Sequence, residues 1–235
     1  MGPGDPLLLT RQAMAVLGSA DRVVAPTGSA DEPGRAESVV LQAMPEISIT
    51  RLPFDMTPDV QGGLLTRAAS HREVARKLLP WLSTGEEVAF ITLGDPNIYS
   101  TFSALVLALR QLGWEGAVET VPGITAFQAL ASRTGTVLLD GTESLSLVTA
   151  LDGTTHVEEA LREPDRAVVV YKGGKHLPEI AALLSSVGRL EGAVFGEHIG
   201  LEGEWTGPLA EVPEHSASYL ATVIVPPLTD SEGQA

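Results

Sequence analysis

The sequence predicts an α/β fold made of two α/β domains, with a mostly parallel sheet in the first domain and a mixed sheet in the second. Over residues 1–122, short β-branched runs alternate with segments of helical spacing, which is typical of a parallel sheet covered on both faces. The chain ends with two strand-like runs that have no helix between them, which indicates antiparallel strands. Turn chemistry at Pro122-Gly123 separates domain 1–122 from domain 123–235.

In the first domain, strands are predicted where β-branched runs are bounded by Gly, Pro or Asp, and helices where apolar residues recur every three or four positions. The predicted strands are Arg22–Pro26, Ile47–Pro53, Val88–Leu93 and Val118–Val121. The predicted helices are Leu8–Leu17, Glu37–Met44, Leu64–Leu82 and Phe102–Leu112.

The second domain has fewer predicted helices and more predicted strands, as a mixed sheet requires. The predicted helices are Thr125–Arg133 and Leu177–Val187. The predicted strands are Leu145–Leu151, Ala167–Tyr171, Ala193–Glu197, Trp205–Val212 and Ala221–Val225. From about residue 227 the chain is small and polar, which predicts a disordered tail.

Composition and charge exclude several classes of protein. The 235 residues include 30 Asp and Glu, 15 Lys and Arg and no cysteine. The net charge of -15 argues against a nucleic-acid or membrane partner held by the overall field. The absence of cysteine excludes a disulfide scaffold, a thiolate metal site and a cysteine nucleophile. No signal peptide is visible at the N-terminus, and we expect a cytoplasmic protein.

The Gly2-Pro3-Gly4-Asp5-Pro6 segment stands directly before a predicted helix. Its glycines allow backbone N–H groups to approach a ligand at a helix N-terminus. The alternative is a helix-entry turn in which Asp5 is the N-cap. A dinucleotide-binding fingerprint, and with it a nicotinamide oxidoreductase, is disfavoured because Leu7 stands where the third glycine would be.

The segment from Thr92 to Tyr99 repeats the Gly-Asp-Pro sequence after a predicted parallel strand. Ligands bind at the carboxyl ends of such strands in open α/β sheets. Gly94 permits close approach of the backbone, and Asp95 is able to accept a hydrogen bond from a ligand hydroxyl or to cap the next helix. The alternative is a structural strand-turn-cap segment.

Two further turns follow predicted strands. In the segment Val121–Ala126, Pro122-Gly123 precedes a helix and Thr125 offers a hydroxyl at its start, although a purely structural turn is the simpler interpretation. In the segment Tyr171–His176, two glycines free the backbone to meet a ligand and Lys172 adds a cation, whereas a solvated loop is the alternative.

Metal binding is not expected, because no two histidines have the i, i+4 spacing that puts two ligands on one helix face. The histidines are His71, His156, His176, His198 and His215. No nucleophile elbow and no Walker loop is present either. The predicted helix at 64–82 has a basic face, which is either solvated or turned toward an anion. That face consists of Arg67, His71, Arg72, Arg76 and Lys77.

Four motifs taken in order resemble the tetrapyrrole methylase family. They are GPGDP near the start, LGDPNIYSTF in the middle, VETVPGITAFQALASRTG after it, and VVVYKGG in the second half. Three segments, YSTF from Tyr99, PFDMT from Pro53 and TVLLDGTE from Thr136, resemble the branch of the family that methylates precorrin-2 at carbon 20. The resemblance covers residues 1–226.

The resemblance implies two α/β domains, S-adenosylmethionine (SAM) as the methyl donor held in the cleft between them, and a homodimer. It implies a tetrapyrrole as the substrate. The SAM contacts it implies are Pro3, Gly4, Asp5, Leu93, Gly94, Asp95, Ile98, Thr125, Ala126, Tyr171 and Lys172. The region Gly196–His198 matches loosely and is expected to close over the adenosine.

The reaction that the resemblance implies needs in-line positioning of sulfur, methyl and a meso carbon, and a base that removes the meso proton afterwards. Asp95, Tyr99 and Glu197 are candidates for that base because they lie near the motifs. The substrate carboxylates are expected to bind to arginines of the less acidic first half. These are Arg35, Arg51, Arg67 and Arg72.

The family has a first strand, with another glycine, that leads into the GPGDP segment, whereas this chain begins at Met1-Gly2. We therefore expect the first strand of the N-terminal sheet to be missing, from a displaced start or a damaged form. Alternatives to methylation of precorrin-2 are its cobalt-containing counterpart, cobalt-factor II, and uroporphyrinogen III as substrate. A non-catalytic tetrapyrrole-binding protein is the alternative if the short N-terminus abolishes SAM binding.

Overall fold

The computed structural model describes residues 1–28, 32–54, 63–212 and 217–228, with the backbone alone for residues 63–67. The chain divides into two units, Met1–Thr125 and Ala126–Ala235. Asp55–Thr57 of the PFDMT segment, Arg67 as a side chain, His215 and the end of the tail therefore lie outside the described parts. At residue 228 the chain is held by a hydrogen bond from the Leu228 amide to the Pro164 carbonyl, at 2.8 Å.

Unit 1 alternates strands and helices, as the sequence predicts. Its helices are α1 (Arg11–Ser19), α2 (Arg35–Ala43), α3 (Gly63–Ser83) and α4 (Phe102–Gln111). Its strands are β1 (Arg22–Thr27), β2 (Ile49–Pro53) and β3 (Val88–Phe90). The described sheet has the order β2-β1-β3, and both pairings are parallel. The prediction of a parallel first sheet is confirmed.

The centre of this sheet is its most buried part. Val24 on β1 is completely buried, and it belongs to an apolar cluster with Phe54 and with residues of α3 and α4. Because all the described pairings are parallel, the carboxyl ends of β1, β2 and β3 lie at one edge of the sheet. The loop after β3 begins at that edge, and it is hydrogen-bonded to Gly2 of the GPGDP segment.

The strand predicted at Val118–Val121 is not formed. Val118 is 37% exposed, and no described strand is hydrogen-bonded beside this segment. A β-branched run becomes a strand only where a neighbouring strand completes its hydrogen bonds. The prediction from composition was therefore wrong at this position.

Unit 2 contains a mixed sheet, which confirms the second prediction of fold class. Its strands are β4 (Ser144–Thr149), β5 (Arg166–Tyr171), β6 (Val194–Glu197), β7 (Trp205–Pro208) and β8 (Thr222–Val225). Its helices are α5 (Ala126–Thr134), α6 (Thr155–Ala160) and α7 (Leu177–Ser186). The sheet order is β4-β5-β8-β6-β7, with β4 and β5 parallel and the other pairings antiparallel.

Two elements of unit 2 differ from the prediction. Strand β7 ends at Pro208 rather than Val212, because proline has no N–H for the ladder and a 3-10 turn, Leu209–Glu211, follows. Helix α6 was not predicted. It is only 6 residues long and has no side-chain N-cap, so the sequence carries little helical signal there.

A buried arginine stabilises the edge of the unit 2 sheet at which β5 begins and β8 ends. Arg189 is 4% exposed, and its Nη2 donates to the carbonyl oxygens of Arg166 and Pro226 at 2.7 and 2.6 Å. Burial lowers the pKa of the Arg189 guanidinium from its ordinary value. Arg189 therefore links the start of β5 to the chain leaving β8.

Candidate functional site

The loop after β3 is built around a left-handed glycine. Gly94 has a φ of 68°, which glycine adopts without the strain that a Cβ would introduce. Its N–H donates to the Gly2 carbonyl at 3.1 Å, and its carbonyl accepts from the Met1 nitrogen at 3.0 Å. The loop after β3 and the first two residues of the chain are thus joined through the backbone within unit 1.

Asp95 organises this loop with both of its carboxylate oxygens. Oδ1 accepts from the backbone N–H of Asn97 at 2.9 Å, which closes a local turn. Oδ2 accepts from the backbone N–H of Gly123 at 3.0 Å. The carboxylate therefore holds together two loops that are 28 residues apart in sequence.

At Gly123 the backbone of the Pro-Gly turn packs closely against the backbones of Gly94 and Met1. A Cβ added at Gly123 would be 2.2 Å from the Gly94 carbonyl oxygen and 2.5 Å from the Met1 carbonyl oxygen. Burial lowers the pKa of the Met1 ammonium, and the Asp95 carboxylate partly offsets that shift. The Pro-Gly turn is therefore an integral part of the same loop cluster rather than an isolated connection.

Residues 2–4 of the GPGDP segment are buried, but the segment does not lead directly into an α-helix as predicted. Asp5 caps a 3-10 turn, Pro6–Leu8, by accepting from the Leu7 N–H at 2.8 Å. Helix α1 begins later, at Arg11, and its N-cap is Thr10. The capping role of Asp5 is thus local, and it matches the way Asp95 accepts from Asn97.

Tyr99 lies at the exposed end of the loop after β3. Its φ is 48°, an uncommon backbone conformation for a residue with a Cβ, and its side chain is 47% exposed. Beside it, Ser100 Oγ accepts from the Phe102 N–H at 3.1 Å and lies 3.2 Å from Thr92 Oγ1. The YSTF segment is therefore a fixed turn that presents Tyr99 to solvent.

In unit 2, the predicted contact residues Ala126 and Tyr171 lie close to each other. Helix α5 starts at Ala126, and the Tyr171 hydroxyl accepts from the Phe127 N–H at 3.2 Å. The phenol thus satisfies one of the N–H groups that a helix leaves without an intrahelical partner. Tyr171 is the last residue of β5, so the cap places the start of α5 at the carboxyl end of that strand.

Glu197 ends β6 and is buried, with 6% exposure. Its Oε2 accepts from the backbone N–H of Ser218 at 2.8 Å. The next residue, His198, has a φ of 51°. A buried carboxylate bound to a backbone amide fixes the chain around residue 218, a function that the sequence did not predict.

The arginines predicted for substrate binding occupy different surroundings. Arg51 pairs through Nε with both carboxylate oxygens of Glu37, at 3.0 and 2.9 Å, and Glu37 is 3% exposed. Arg35 and Arg72 are exposed at the surface of unit 1. The side chain of Arg67 lies outside the described residues. Arg51 thus already neutralises a buried carboxylate, whereas Arg35 and Arg72 are accessible to a ligand.

Sequence reasoning found the loops but missed several of the residues that hold them. Gly123 was interpreted only as a turn, and Glu37, Ser218 and Tyr219 were not singled out. Contacts between residues far apart in the chain produce no local pattern, so no sequence signal points to Ser218 or Glu37. Within the described residues, no group of three or more metal-binding side chains is found, and no helix there could cross a membrane.

Proteins of known family match nearly the whole chain. The family model for Tetrapyrrole (Corrin/Porphyrin) Methylases matches residues 1–213. A cobalt-precorrin-2 C(20)-methyltransferase from Salmonella typhimurium is 31% identical over 227 residues, which are 95% of this chain and 92% of that protein. A precorrin-2 C(20)-methyltransferase from a Sinorhizobium species is 31% identical over 230 residues, which are 96% of this chain and 92% of that protein.

A solved structure shows the same fold. The uroporphyrin-III C-methyl transferase from Thermus thermophilus, complexed with S-adenyl homocysteine, has a TM-score of 0.63 to this chain. It is 23% identical, and the match covers 95% of this chain and 94% of that one.

Proposed function

Because this chain belongs to the tetrapyrrole methylase family, we propose that it transfers a methyl group from SAM to carbon 20 of precorrin-2, giving precorrin-3A in cobalamin biosynthesis. The observation that carries this proposal is the match at 31% identity to two C(20)-methyltransferases over 92% of each. A match of that extent includes both units, so it does not rest on one shared motif.

The loops of unit 1 fit the polar parts of SAM. Each Asp95 carboxylate oxygen accepts one backbone N–H and retains a lone pair for a ribose hydroxyl or an ammonium group. Gly94, which has a left-handed φ, has no side chain that would block a ligand beside Asp95. The proposed SAM contacts of unit 1 are Pro3, Gly4, Asp5, Leu93, Gly94, Asp95, Ile98 and Thr125.

Unit 2 is proposed to contribute Ala126, Tyr171 and Lys172. The support is that Ala126 opens helix α5, whose second N–H is capped by Tyr171 at the carboxyl end of β5. Strand ends and helix starts are the places where backbone polar groups are available to a ligand.

SAM supplies a methyl group on a sulfonium, which is already activated, so the chain needs no nucleophilic side chain. What the residues must do is hold the reacting groups in line at near-attack distance. The hydrogen bonds of Asp95 and the close backbone contact at Gly123 provide that rigidity in unit 1. Methyl transfer itself thus depends on positioning, and acid-base chemistry enters when the meso proton is removed afterwards.

The three candidates for the base that removes the meso proton differ in accessibility. Asp95 and Glu197 accept backbone N–H groups, and Glu197 is 6% exposed. Tyr99 is 47% exposed at the end of the loop after β3. The exposure of Tyr99 favours it as the group that meets the substrate, whereas the contacts of the two carboxylates favour a role in loop structure.

The cobalt-containing counterpart is the second candidate substrate, because one of the two relatives at 31% identity has cobalt-precorrin-2 in its name. We also propose a cytoplasmic homodimer. Exposed apolar side chains on unit 2, Val137 at 69% and Leu139 at 42%, support self-association. Sedimentation of the purified chain at two concentrations tests the oligomeric state.

The function is tested by calorimetric titration with SAM, followed by parallel assays with precorrin-2 and its cobalt-containing counterpart. We expect SAM binding and methyl transfer to one of the two tetrapyrroles. A folded protein that gives no heat with millimolar SAM would contradict the proposal, because methyl transfer requires that ligand. Preference for the cobalt-containing substrate would retain the reaction and change the substrate.

A further inference from the structure

His198 has an uncommon backbone conformation directly after β6. Its φ is 51°, in the left-handed region that a residue with a Cβ adopts only against a conformational cost. The loop after β6, residues 198–204, has two further left-handed positions with φ of 77° and 79°, and both are glycines, Gly200 and Gly203. A histidine at the first of the three positions, where glycine would be free of strain, indicates a role for its side chain.

Glu204 holds the loop after β6 through both oxygens of its carboxylate. Oε1 accepts from Arg133 Nε at 2.8 Å, and Oε2 accepts from the Gly200 N–H at 2.7 Å. Within the loop, the Leu201 N–H donates to the His198 carbonyl at 2.7 Å, and the Glu204 N–H donates to the Leu201 carbonyl at 3.2 Å. These bonds fix the loop, so the position of His198 at its start is fixed as well.

The residues on either side of His198 are buried. Glu197 is 6% exposed and accepts from the Ser218 N–H at 2.8 Å, and Ile199 is 4% exposed. His198 itself is half-buried. The histidine is therefore anchored by both neighbours and remains partly accessible to a ligand.

His198 leaves the sheet at the end where unit 2 is proposed to contact SAM. Strands β5 and β6 are both antiparallel to β8, so their carboxyl ends point the same way. Tyr171 of β5 and Gly196 of β6 pair with Thr222 on opposite sides of β8, which puts their backbones roughly 10 Å apart. His198 follows Gly196 by two residues and thus lies at the same end of the sheet as the proposed cofactor contacts.

Imidazole suits the proton transfer that the proposed reaction needs. Among side chains, imidazole exchanges a proton most readily near neutral pH, and a general base works best when it is matched to the working pH. The carboxylates of Asp95 and Glu197 accept backbone N–H groups. A phenol is a poor proton acceptor at neutral pH, so Tyr99 is better suited to donate a hydrogen bond to the substrate than to take its proton.

We propose that His198 is the base that removes the proton from carbon 20, and that Glu204 is the positioning residue that holds its loop. The inference rests on the proposed function. First, the bond between carbon 20 and the methyl group forms with a π-electron pair of the tetrapyrrole, while the bond between sulfur and methyl breaks and leaves its electron pair on sulfur. Then the bond between carbon 20 and hydrogen breaks, its electron pair returns to the π system, and the proton goes to an imidazole nitrogen of His198.

The test compares turnover of the full chain at saturating SAM and precorrin-2, so that a change in affinity for either ligand does not alter the rate. His198→Asn is expected to lower kcat about a hundredfold. Asparagine adopts the left-handed region readily, so this variant should melt close to the wild-type temperature. His156→Asn is the matched control, because it makes the same change at an exposed histidine on α6 and should leave kcat unchanged.

Two further readouts are specific to proton transfer. His198→Gly leaves space where the imidazole was, and added imidazole should restore a large part of the lost turnover. Deuterium at carbon 20 of precorrin-2 should slow His198→Asn more than the wild-type protein, because breaking the carbon–hydrogen bond becomes rate-limiting when the base is removed.

A wild-type kcat in His198→Asn would overturn the inference. A loss of turnover that imidazole does not restore and deuterium does not increase would also overturn it, because that pattern belongs to a structural role. A wild-type protein that methylates no tetrapyrrole would overturn the proposed function and this inference with it. The two failures are distinguishable, because the wild-type protein is active in the first case and inactive in the second.

The positioning role of Glu204 has its own readout. Glu204→Ala is expected to lower kcat several-fold while KM for SAM changes little. Glu204→Gln keeps an oxygen that accepts from the Gly200 N–H and should restore part of the loss. Equal losses in the two variants, or a change confined to KM, would contradict the positioning role.

Discussion

Unit 1 and unit 2 each use a carboxylate to hold a loop at the carboxyl ends of strands, but the two carboxylates differ in their surroundings. Asp95 is half-buried and accepts from two backbone N–H groups, one local and one in the Pro-Gly turn. Glu197 is 6% exposed and accepts from the Ser218 N–H, 21 residues away. In both units the carboxylate has a structural role, because it accepts backbone N–H groups and holds a loop in place.

The difference also concerns what each loop presents. In unit 1, glycines lie where the backbones are in close contact and add no side chains. The loop therefore presents polar main-chain groups and the Asp95 carboxylate. In unit 2, the Lys172 ammonium lies over the Tyr219 ring, next to the Ser218 amide that Glu197 binds. The first loop therefore presents hydrogen-bond acceptors and main-chain groups, and the second presents a cation beside an aromatic ring.

The largest effect is expected at the close contact in unit 1. Gly123→Ala would place a Cβ 2.2 Å from the Gly94 carbonyl oxygen, so one of the two loops must move. We expect a loss of stability of about 3 kcal/mol and loss of SAM binding. Denaturant unfolding and SAM calorimetry are the measurements.

The control is Gly18→Ala in helix α1, where the nearest atom to the new Cβ is 3.9 Å away. Alanine at a helical position should stabilise slightly. If Gly123→Ala were as stable as Gly18→Ala and bound SAM normally, the close packing of the unit 1 loops would not matter for the cofactor.

A smaller effect is expected in unit 2. Glu197→Ala leaves the Ser218 N–H without its carboxylate in a buried setting, which should cost about 2 kcal/mol. The melting temperature and the unfolding midpoint report the loss. A variant as stable as the wild-type protein would mean that water replaces the carboxylate, and that the chain around residue 218 is not held by Glu197.

Asp95→Ala is expected to cost less stability, about 1 kcal/mol, because the half-buried loop allows water to replace part of each hydrogen bond. SAM affinity should nevertheless fall at least about tenfold, since the loop loses its link to Gly123. Asp95→Asn is the matched control, because the amide keeps one acceptor oxygen. Normal SAM affinity in the alanine variant would remove Asp95 from the site.

Much of the fold was predictable because it is local. Bounded β-branched runs and helical spacing predicted the helices and strands that form in unit 1 to within a few residues, and the helix-free ending predicted the mixed sheet of unit 2. The strand predicted at Val118–Val121 is not formed, because a strand needs a partner, which no local pattern reveals. Asp95 was singled out as a candidate site residue because it lies in a Gly-Asp-Pro motif. The hydrogen bond between Glu197 and Ser218 joins residues that are 21 positions apart and share no motif, so it was not predictable.

The smallest effect on stability is expected at Arg72, which is exposed on α3. Arg72→Ala should change the free energy of unfolding by less than about 0.5 kcal/mol. If unit 1 binds substrate carboxylates, the affinity for uroporphyrin III, a stable polycarboxylate, should fall and S-adenosylhomocysteine affinity should stay constant. Unchanged uroporphyrin affinity would remove Arg72 from the proposed partners of the substrate carboxylates.

The most direct test of the account is transfer of a carbon-13 methyl group from labelled SAM to precorrin-2, followed by NMR of the product. The account predicts one labelled methyl group, attached to carbon 20, and no transfer by Gly123→Ala. A product without label, or label at another carbon, would contradict the assignment of this chain as the C(20)-methylating enzyme.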